Sequence, residues 1–226
     1  MKVIANFFKQ LKDYPSAIAG LAIIFLMVCL AIYAVFAIPY EQAVKLWRGD
    51  DKVWADTPRN ARPVWFNWFY KEKQPVTINL NSAKDPSLKS VQDLGGGMSM
   101  VDVVFEFDYN YDGFPSEISL FFTSKFNSAR PNVDITWITP DGREIPMSNM
   151  ALSASNTYTI SQDNALSRRL RGVAPEKGLF ADPNDPSKVV KGTYKMVIEG
   201  LVFEEGADYD AKLVVYGKLH GLAGTE

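Results

Sequence analysis

The chain has 226 residues, 47% of them hydrophobic, with 24 Lys and Arg against 26 Asp and Glu for a formal charge of −2. That balance leaves no polybasic footprint for nucleic acid, the 13% aromatic content excludes an intrinsically disordered chain, and a single cysteine, Cys29, excludes a disulfide framework and a Cys-based zinc site. The mean hydropathy is close to zero only because two unlike pieces are averaged: no Asp, Glu, Lys or Arg occurs between Asp13 and Glu41, and the polar remainder follows.

In chain order, residues 1–16 form a cytoplasmic N-terminal segment, in which Lys2, Lys9 and Lys12 outweigh Asp13. Residues 6–12 have an amphipathic helical pattern suited to the inner leaflet. Residues 17–38 contain only Ala, Gly, Leu, Ile, Val, Phe, Met, Cys and Tyr. As an α-helix these residues cover about 33 Å, against a hydrocarbon core of about 30 Å. A cleaved signal peptide has a shorter apolar region closed by a small-x-small site, whereas this run exits through Ala37, Ile38 and Pro39. The spacing predicts a retained transmembrane helix ended by Pro39. Its basic N-terminal flank predicts a cytoplasmic N-terminus in the cell (inner or plasma) membrane, with the bulk of the chain extracytoplasmic. Tyr14, Tyr33 and Tyr40 suit interface anchors. Ala31, Ala34 and Ala37 line one face, suited to close helix packing or simply to lipid. The span carries no ionisable group to line an ion path.

Residues 39–75 read as an irregular, aromatic membrane-proximal linker holding four of the five tryptophans, together with Phe66, Phe69 and Tyr70. Such rings suit either the headgroup level or the core of the outer domain. Residues 76–226 form a β-rich domain. Alternation predicts strands at 76–80, 98–109, 118–123, 133–138, 143–145, 157–161, 192–201 and 209–217. A Pro140-Asp141-Gly142 turn joins one hairpin, Gly95-Gly96-Gly97 forms a flexible entry to the long strand, and a short helix covers 166–171. Seven or eight short strands with turn chemistry between them predict an antiparallel β-sandwich.

Chemical motifs are weak. Asp108, Asn110, Asp112 and Gly113 match the opening of an EF-hand loop, but position twelve is Ser119 where a bidentate Glu is required, and the entering segment alternates like a strand. Asp182, Asn184 and Asp185 read as a surface loop. His220 is the sole histidine and no nucleophile elbow occurs; Arg168, Arg169 and Arg171 read as a solvated helix face. The sequence thus offers no catalytic, cofactor or metal residues, and the expectation is a protein without enzyme activity.

The order of pieces resembles the N-terminal region of the permease subunit of dipeptide/oligopeptide-type ABC transporters. The resemblance lies in FFKQLKDYPSAIAG at 7–20, the apolar run, IPY at 38–40, LWRG at 46–49, WADTPRNARP at 54–63 and GLAGTE at 221–226. It implies the first span of such a permease followed by a large external insertion. The implied partners are the lipid bilayer, other permease spans or a second permease subunit, ATPase subunits acting through the complete permease, and an extracytoplasmic solute-binding protein. Glu226 stands where the family has Asp, and the family's pore spans and coupling loop have no counterpart in these 226 residues. Read without the resemblance, the chain is a single-pass membrane protein presenting a β-sandwich binding or assembly module.

Overall fold

In the computed structural model, the described residues are 14–48, 57–58 and 60–221. The amphipathic pattern at 6–12, Trp54 and the last residues of GLAGTE lie outside them. The chain divides into two compact units, Met1–Trp54 and Ala55–Glu226.

The first unit contains α1, Pro15–Ala37. Proline occupies its first turn, where the missing N–H has no intrahelical partner to lose. At 23 residues it is about 34 Å long, apolar on every side and without a buried side chain, the character of a helix that faces lipid rather than a protein core. It starts two residues earlier than the apolar run, because Pro15 and Ser16 are compatible with a first turn. It stops where expected: Ile38 precedes Pro39, is extended, and donates its N–H to the Ala34 carbonyl at 2.9 Å. A second helix, α2, Tyr40–Trp47, follows at once with Pro39 as its N-cap and Glu41 in its first turn. The linker read as irregular therefore begins as a helix. Tyr40 and Trp47, seven residues apart on one face, are both exposed.

The second unit is an antiparallel β-sandwich. Its strands are β1 (Arg62–Pro63), β2 (Ile78–Asn81), β3 (Lys89–Gly95), β4 (Met98–Tyr109), β5 (Glu117–Lys125), β6 (Asn132–Ile138), β7 (Glu144–Ala151), β8 (Ser155–Thr159), β9 (Gly192–Val202), β10 (Asp208–Tyr216) and β11 (Leu219–His220). One sheet runs β2-β10-β5-β8 and the other β3-β4-β9-β6-β7, antiparallel throughout; β1 and β11 form a short parallel pair. Alternation sets the inward faces, as the sequence pattern requires. Val101, Val103, Phe105, Phe107 and Tyr109 of β4 meet Tyr194, Met196 and Ile198 of β9, Val133, Ile135 and Trp137 of β6, and Leu120, Phe122 and Leu213 from the facing sheet.

Three features depart from the sequence reading. β3 is a strand without alternation, because it is an exposed edge paired on one side only. It turns the glycine triplet from a flexible entry into a hairpin: Gly95, Gly96 and Gly97 have φ of +80°, +66° and +82°, a region open to glycine, and the Gly95 N–H donates to the Asp93 carboxylate at 2.8 Å. β7 runs to Ala151, well past Ile145, and tolerates Pro146 because it is an edge strand and the register shifts beside it. The helix expected at 166–171 is α3, Asn164–Arg169, moved forward because Asp163 caps it by accepting the Ala165 and Leu166 N–H groups. A further short helix, α4, Pro175–Gly178, follows.

On the outer face of the five-stranded sheet, Asp102, Glu199 and Asp134 stand in one cross-strand row. Like charges directly opposite oppose pairing. The substitution Glu199→Gln is expected to raise stability by about 0.2–1 kcal/mol, read as a shift of the denaturation midpoint; a fall would show that Glu199 makes a stabilising contact.

Candidate functional site

The residues with interaction chemistry gather where the chain enters and leaves the sandwich. Residues Val64–Trp68 form a 3-10 turn directly after β1. Its rings make a connected set: Trp65 and Phe66 have centroids 4.4 Å apart, Trp65 and Phe69 6.2 Å, and Phe66 and Phe69 6.4 Å. Phe66 is half-buried, with the Arg62 guanidinium 5.6 Å from its ring centre. The others point outward: Trp68 is 85% exposed, Phe69 75% and Trp65 49%. Of the two alternatives for this segment, a stretch of outer-domain core is excluded for Trp65, Trp68 and Phe69. What the arrangement presents to solvent is an aromatic ridge.

The ridge is exposed but not loose. The Asn67 amide donates to the Gln74 carbonyl at 3.1 Å and accepts the Gln74 N–H at 3.0 Å, closing the turn on itself. The Asp112 carboxylate accepts the Lys73 N–H at 3.0 Å, while the Asp112 N–H donates to the Lys73 carbonyl at 3.1 Å. The Pro75 carbonyl accepts the N–H groups of Lys218 and Leu219 at 3.0 and 3.2 Å, and the Arg62 N–H donates to the Lys218 carbonyl at 3.2 Å. Together with the β1–β11 register, Arg62 opposite Leu219 and Pro63 opposite His220, these bonds bind the two ends of the domain side by side.

Between them lies a cleft of about 390 Å³, lined among others by Arg62, Tyr70, Gln74, Ser116 and Lys218. The Arg62 guanidinium donates to the Tyr70 hydroxyl. Ser116 donates its hydroxyl to the Tyr216 and Gly217 carbonyls, both at 3.1 Å. The side chains left to meet a visitor are two cations, Arg62 and Lys218, two amides, Asn60 and Gln74, and the Tyr70 phenol. That set suits an anionic oxygen better than a reacting centre, since it contains no nucleophile–base pair.

Asp112 gives this site a pH dependence. Hydrogen bonds from the Lys191 ammonium, at 2.5 Å, and from the Lys73 N–H hold its carboxyl below the usual aspartate range. A group depressed in the folded state contributes above its unfolded value and loses that contribution as pH falls through the folded value. The protection of the Lys73 amide, its exchange relative to the intrinsic rate at each pH, is therefore expected to fall only when pH drops below the ordinary carboxylate range; a fall beginning near neutrality would contradict this.

The motifs singled out in the sequence are dispersed. Asp108 accepts the Thr193 hydroxyl at 2.6 Å across the strand pair, Asp112 faces Lys73 and Lys191, and Ser119 is buried within β5, so the EF-hand-like stretch is a strand end followed by a turn. Asp182 accepts the Asn184 N–H at 2.8 Å, and Asp185 accepts the Ser187 hydroxyl at 2.6 Å and meets the Lys188 ammonium at 2.9 Å, local bonds that close a surface loop. Among the described residues no group of three or more His, Cys, Asp and Glu is arranged to hold a metal ion. His220 lies in β11. Arg169 is not merely solvated: its guanidinium donates to the Pro146 carbonyl and, at 2.5 Å, to the Met147 carbonyl of the β7 edge. The cleft itself had no signal in the sequence, because Arg62 and Lys218 meet only through the β1–β11 pairing.

No protein-family model and no curated protein matches the chain. Among solved structures, the chain is similar to a carbohydrate-binding module in complex with β-1,4-galactotriose (9% identity, 62% of this chain and 85% of that one, TM-score 0.27). It is also similar to a structure describing promiscuous carbohydrate-binding modules of the β-sandwich superfamily (12% identity, 72% of this chain and 61% of that one, TM-score 0.28). A third similarity is to infectious bursal disease virus, Gx strain (13% identity, 66% of this chain and 32% of that one, TM-score 0.30). The class defined by the fold is a single N-terminal apolar helix followed by a β-sandwich domain.

Proposed function

We propose that the chain is a membrane-anchored protein in which α1 crosses the inner or plasma membrane with its N-terminus in the cytoplasm, carrying the sandwich outside as a non-catalytic binding or assembly module. The observation that carries this reading is the contrast between α1, apolar all round with no buried side chain, and a sandwich whose core is complete within its own sheets. The N-terminal flank supports the orientation: residues 1–16 carry Lys2, Lys9 and Lys12 against one acid, Asp13. The full chain, expressed with an N-terminal tag, is expected to remain in membranes after an alkaline carbonate wash. Protease added to spheroplasts is expected to remove the sandwich and leave the tag protected. Release by carbonate overturns the anchor; a protease-resistant sandwich with a cleaved tag overturns the orientation.

A second reading, the first span and external insertion of a peptide-class ABC permease, has one supporting observation beyond the sequence resemblance. The β1–β11 pair brings residues 219–220 beside residues 62–63, the closeness of ends that a domain inserted between two spans requires; the pair is parallel, so the chain must turn after 220 to head back towards the membrane. Under this reading the sandwich contacts the extracytoplasmic solute-binding protein. Mild solubilisation and affinity capture of the full chain from its native membrane should then recover an ABC ATPase and a solute-binding protein; recovery of neither overturns this second reading and leaves the first intact.

A further inference from the structure

We infer that the ridge of Trp65, Trp68 and Phe69 docks on the headgroup layer of the bilayer, with the Arg62–Lys218 cleft taking the phosphate of an anionic lipid; this rests on the anchoring of α1 proposed above.

The rings themselves favour the interface. Trp68 and Phe69 are among the most exposed aromatics of the chain outside α1, at 85% and 75%. They project from a turn that backbone and side-chain hydrogen bonds close at Asn67, Gln74 and Pro75. A rigid apolar projection into water loses the favourable transfer of its rings, and a tryptophan, apolar in body with one N–H donor, recovers it at the boundary between acyl chains and headgroups. A ridge destined for its own core would instead be half-buried like Phe66.

Charge favours the same place. The chain beyond Tyr40 carries −4, yet the margin of the ridge is cationic. Arg62 and Lys218 both line the cleft, and among the described residues neither forms an ion pair with a carboxylate. Glu72 stands between Lys71 and Lys73 on the adjoining exposed turn, so the local sum stays positive. An acidic domain with its cations gathered beside its exposed rings is complementary to a lipid phosphate at that one place.

Reach favours it as well. The span ends at Ile38 and the ridge begins at Val64. α2 occupies eight of the intervening residues, and the 14 residues from Arg48 to Ala61 extend to at most about 46–50 Å. That upper bound limits how far the ridge can stand from the bilayer surface, which raises its effective concentration there. A soluble protein partner receives no such advantage.

The test uses the full chain in vesicles. In the variant Trp47→Phe/Trp54→Phe/Trp65→Phe only Trp68 and the buried Trp137 emit. Vesicles of phosphatidylcholine with phosphatidylglycerol, carrying a quencher at a shallow acyl position, are expected to quench and blue-shift Trp68. The further substitution Trp68→Phe, which leaves Trp137 alone, is expected to abolish the quenching. Arg62→Gln/Lys218→Gln is expected to remove the preference for phosphatidylglycerol over phosphatidylcholine alone; a preference that persists overturns the role of the cleft. Flotation of the same vesicles separates the two readings. Protein that floats with Trp68 unquenched overturns lipid docking while the anchor stands, and leaves the ridge to a protein partner. Protein that does not float overturns the anchor and the inference with it.

Discussion

Trp137→Ala is expected to cost about 3–5 kcal/mol of the sandwich's stability, the range for removing a large aromatic from a packed core. Trp137 is fully buried, with ring centroids of Phe180, Tyr194 and Phe107 at 5.4, 5.6 and 5.9 Å. Its indole N–H donates to the Leu179 carbonyl at 3.2 Å. That bond ties β6 to the segment after α4, where Phe180 enters the same cluster and packs 4.6 Å from both Tyr109 and Tyr194. Alanine leaves a cavity and an unpartnered buried carbonyl at once, two separate penalties. Urea denaturation of the full chain in detergent, followed by near-ultraviolet circular dichroism, measures it. Trp137→Phe, which refills most of the volume but not the hydrogen bond, should fall between the two. A loss below about 1 kcal/mol, the size of a single hydrogen bond, would mean that the cluster repacks without its central ring.

Gly217→Ala is expected to open the end of the domain that carries the ridge. A Cβ at this position lies 2.4 Å from the Pro75 carbonyl oxygen, 2.5 Å from the Val76 carbonyl carbon and 2.7 Å from the Thr77 nitrogen. All three are backbone atoms, so no side-chain rotation relieves the clash and one strand must move. The bonds at stake are the Lys218 and Leu219 N–H groups to Pro75 and the Gly217 N–H to the Thr77 hydroxyl at 3.1 Å. The expected cost is about 1–3 kcal/mol, the range for an overpacked site. The local signature is more telling than the global one. Amide exchange at Arg62, Lys218 and Leu219 should rise and protease should cut within residues 60–75, while the Trp137 cluster keeps its near-ultraviolet signal. Protection unchanged at Lys218 and Leu219 would show that this segment adapts without leaving the Pro75 carbonyl.

Several strands illustrate what is legible locally. β4 alternates for its whole length, and each expected inward residue from Val101 to Tyr109 is buried. The β6–β7 turn carries its own instructions: Gly142 has φ +81° and donates its N–H to the Thr139 carbonyl at 2.9 Å, as a Pro-Asp-Gly sequence predicts. β3 and the far half of β7 are edges, so they lack a second neighbour to enforce alternation, and their residues carry no period to read. The same limit hides the acidic row. Asp102, Glu199 and Asp134 are unremarkable in three separate strands and become neighbours only through register.

The sequence by itself determined the two-part plan: one apolar helix, a positively flanked start, and a β-sandwich behind it. These are properties of contiguous residues, an uncharged run in one case and a period of two in the other, and no distant contact is needed to express them. Tertiary structure alone decided which rings of the aromatic segment are exposed. Phe66 and Trp68 sit two residues apart in one turn, and nothing local distinguishes the half-buried ring from the exposed one. Their difference is set by Arg62 over Phe66 and by the hydrogen bonds that hold residues 62–75 against Asp112 and residues 217–220. The pairing of β1 with β11 closes a loop of more than 150 residues, and only that closure brings Arg62 and Lys218 to the same cleft.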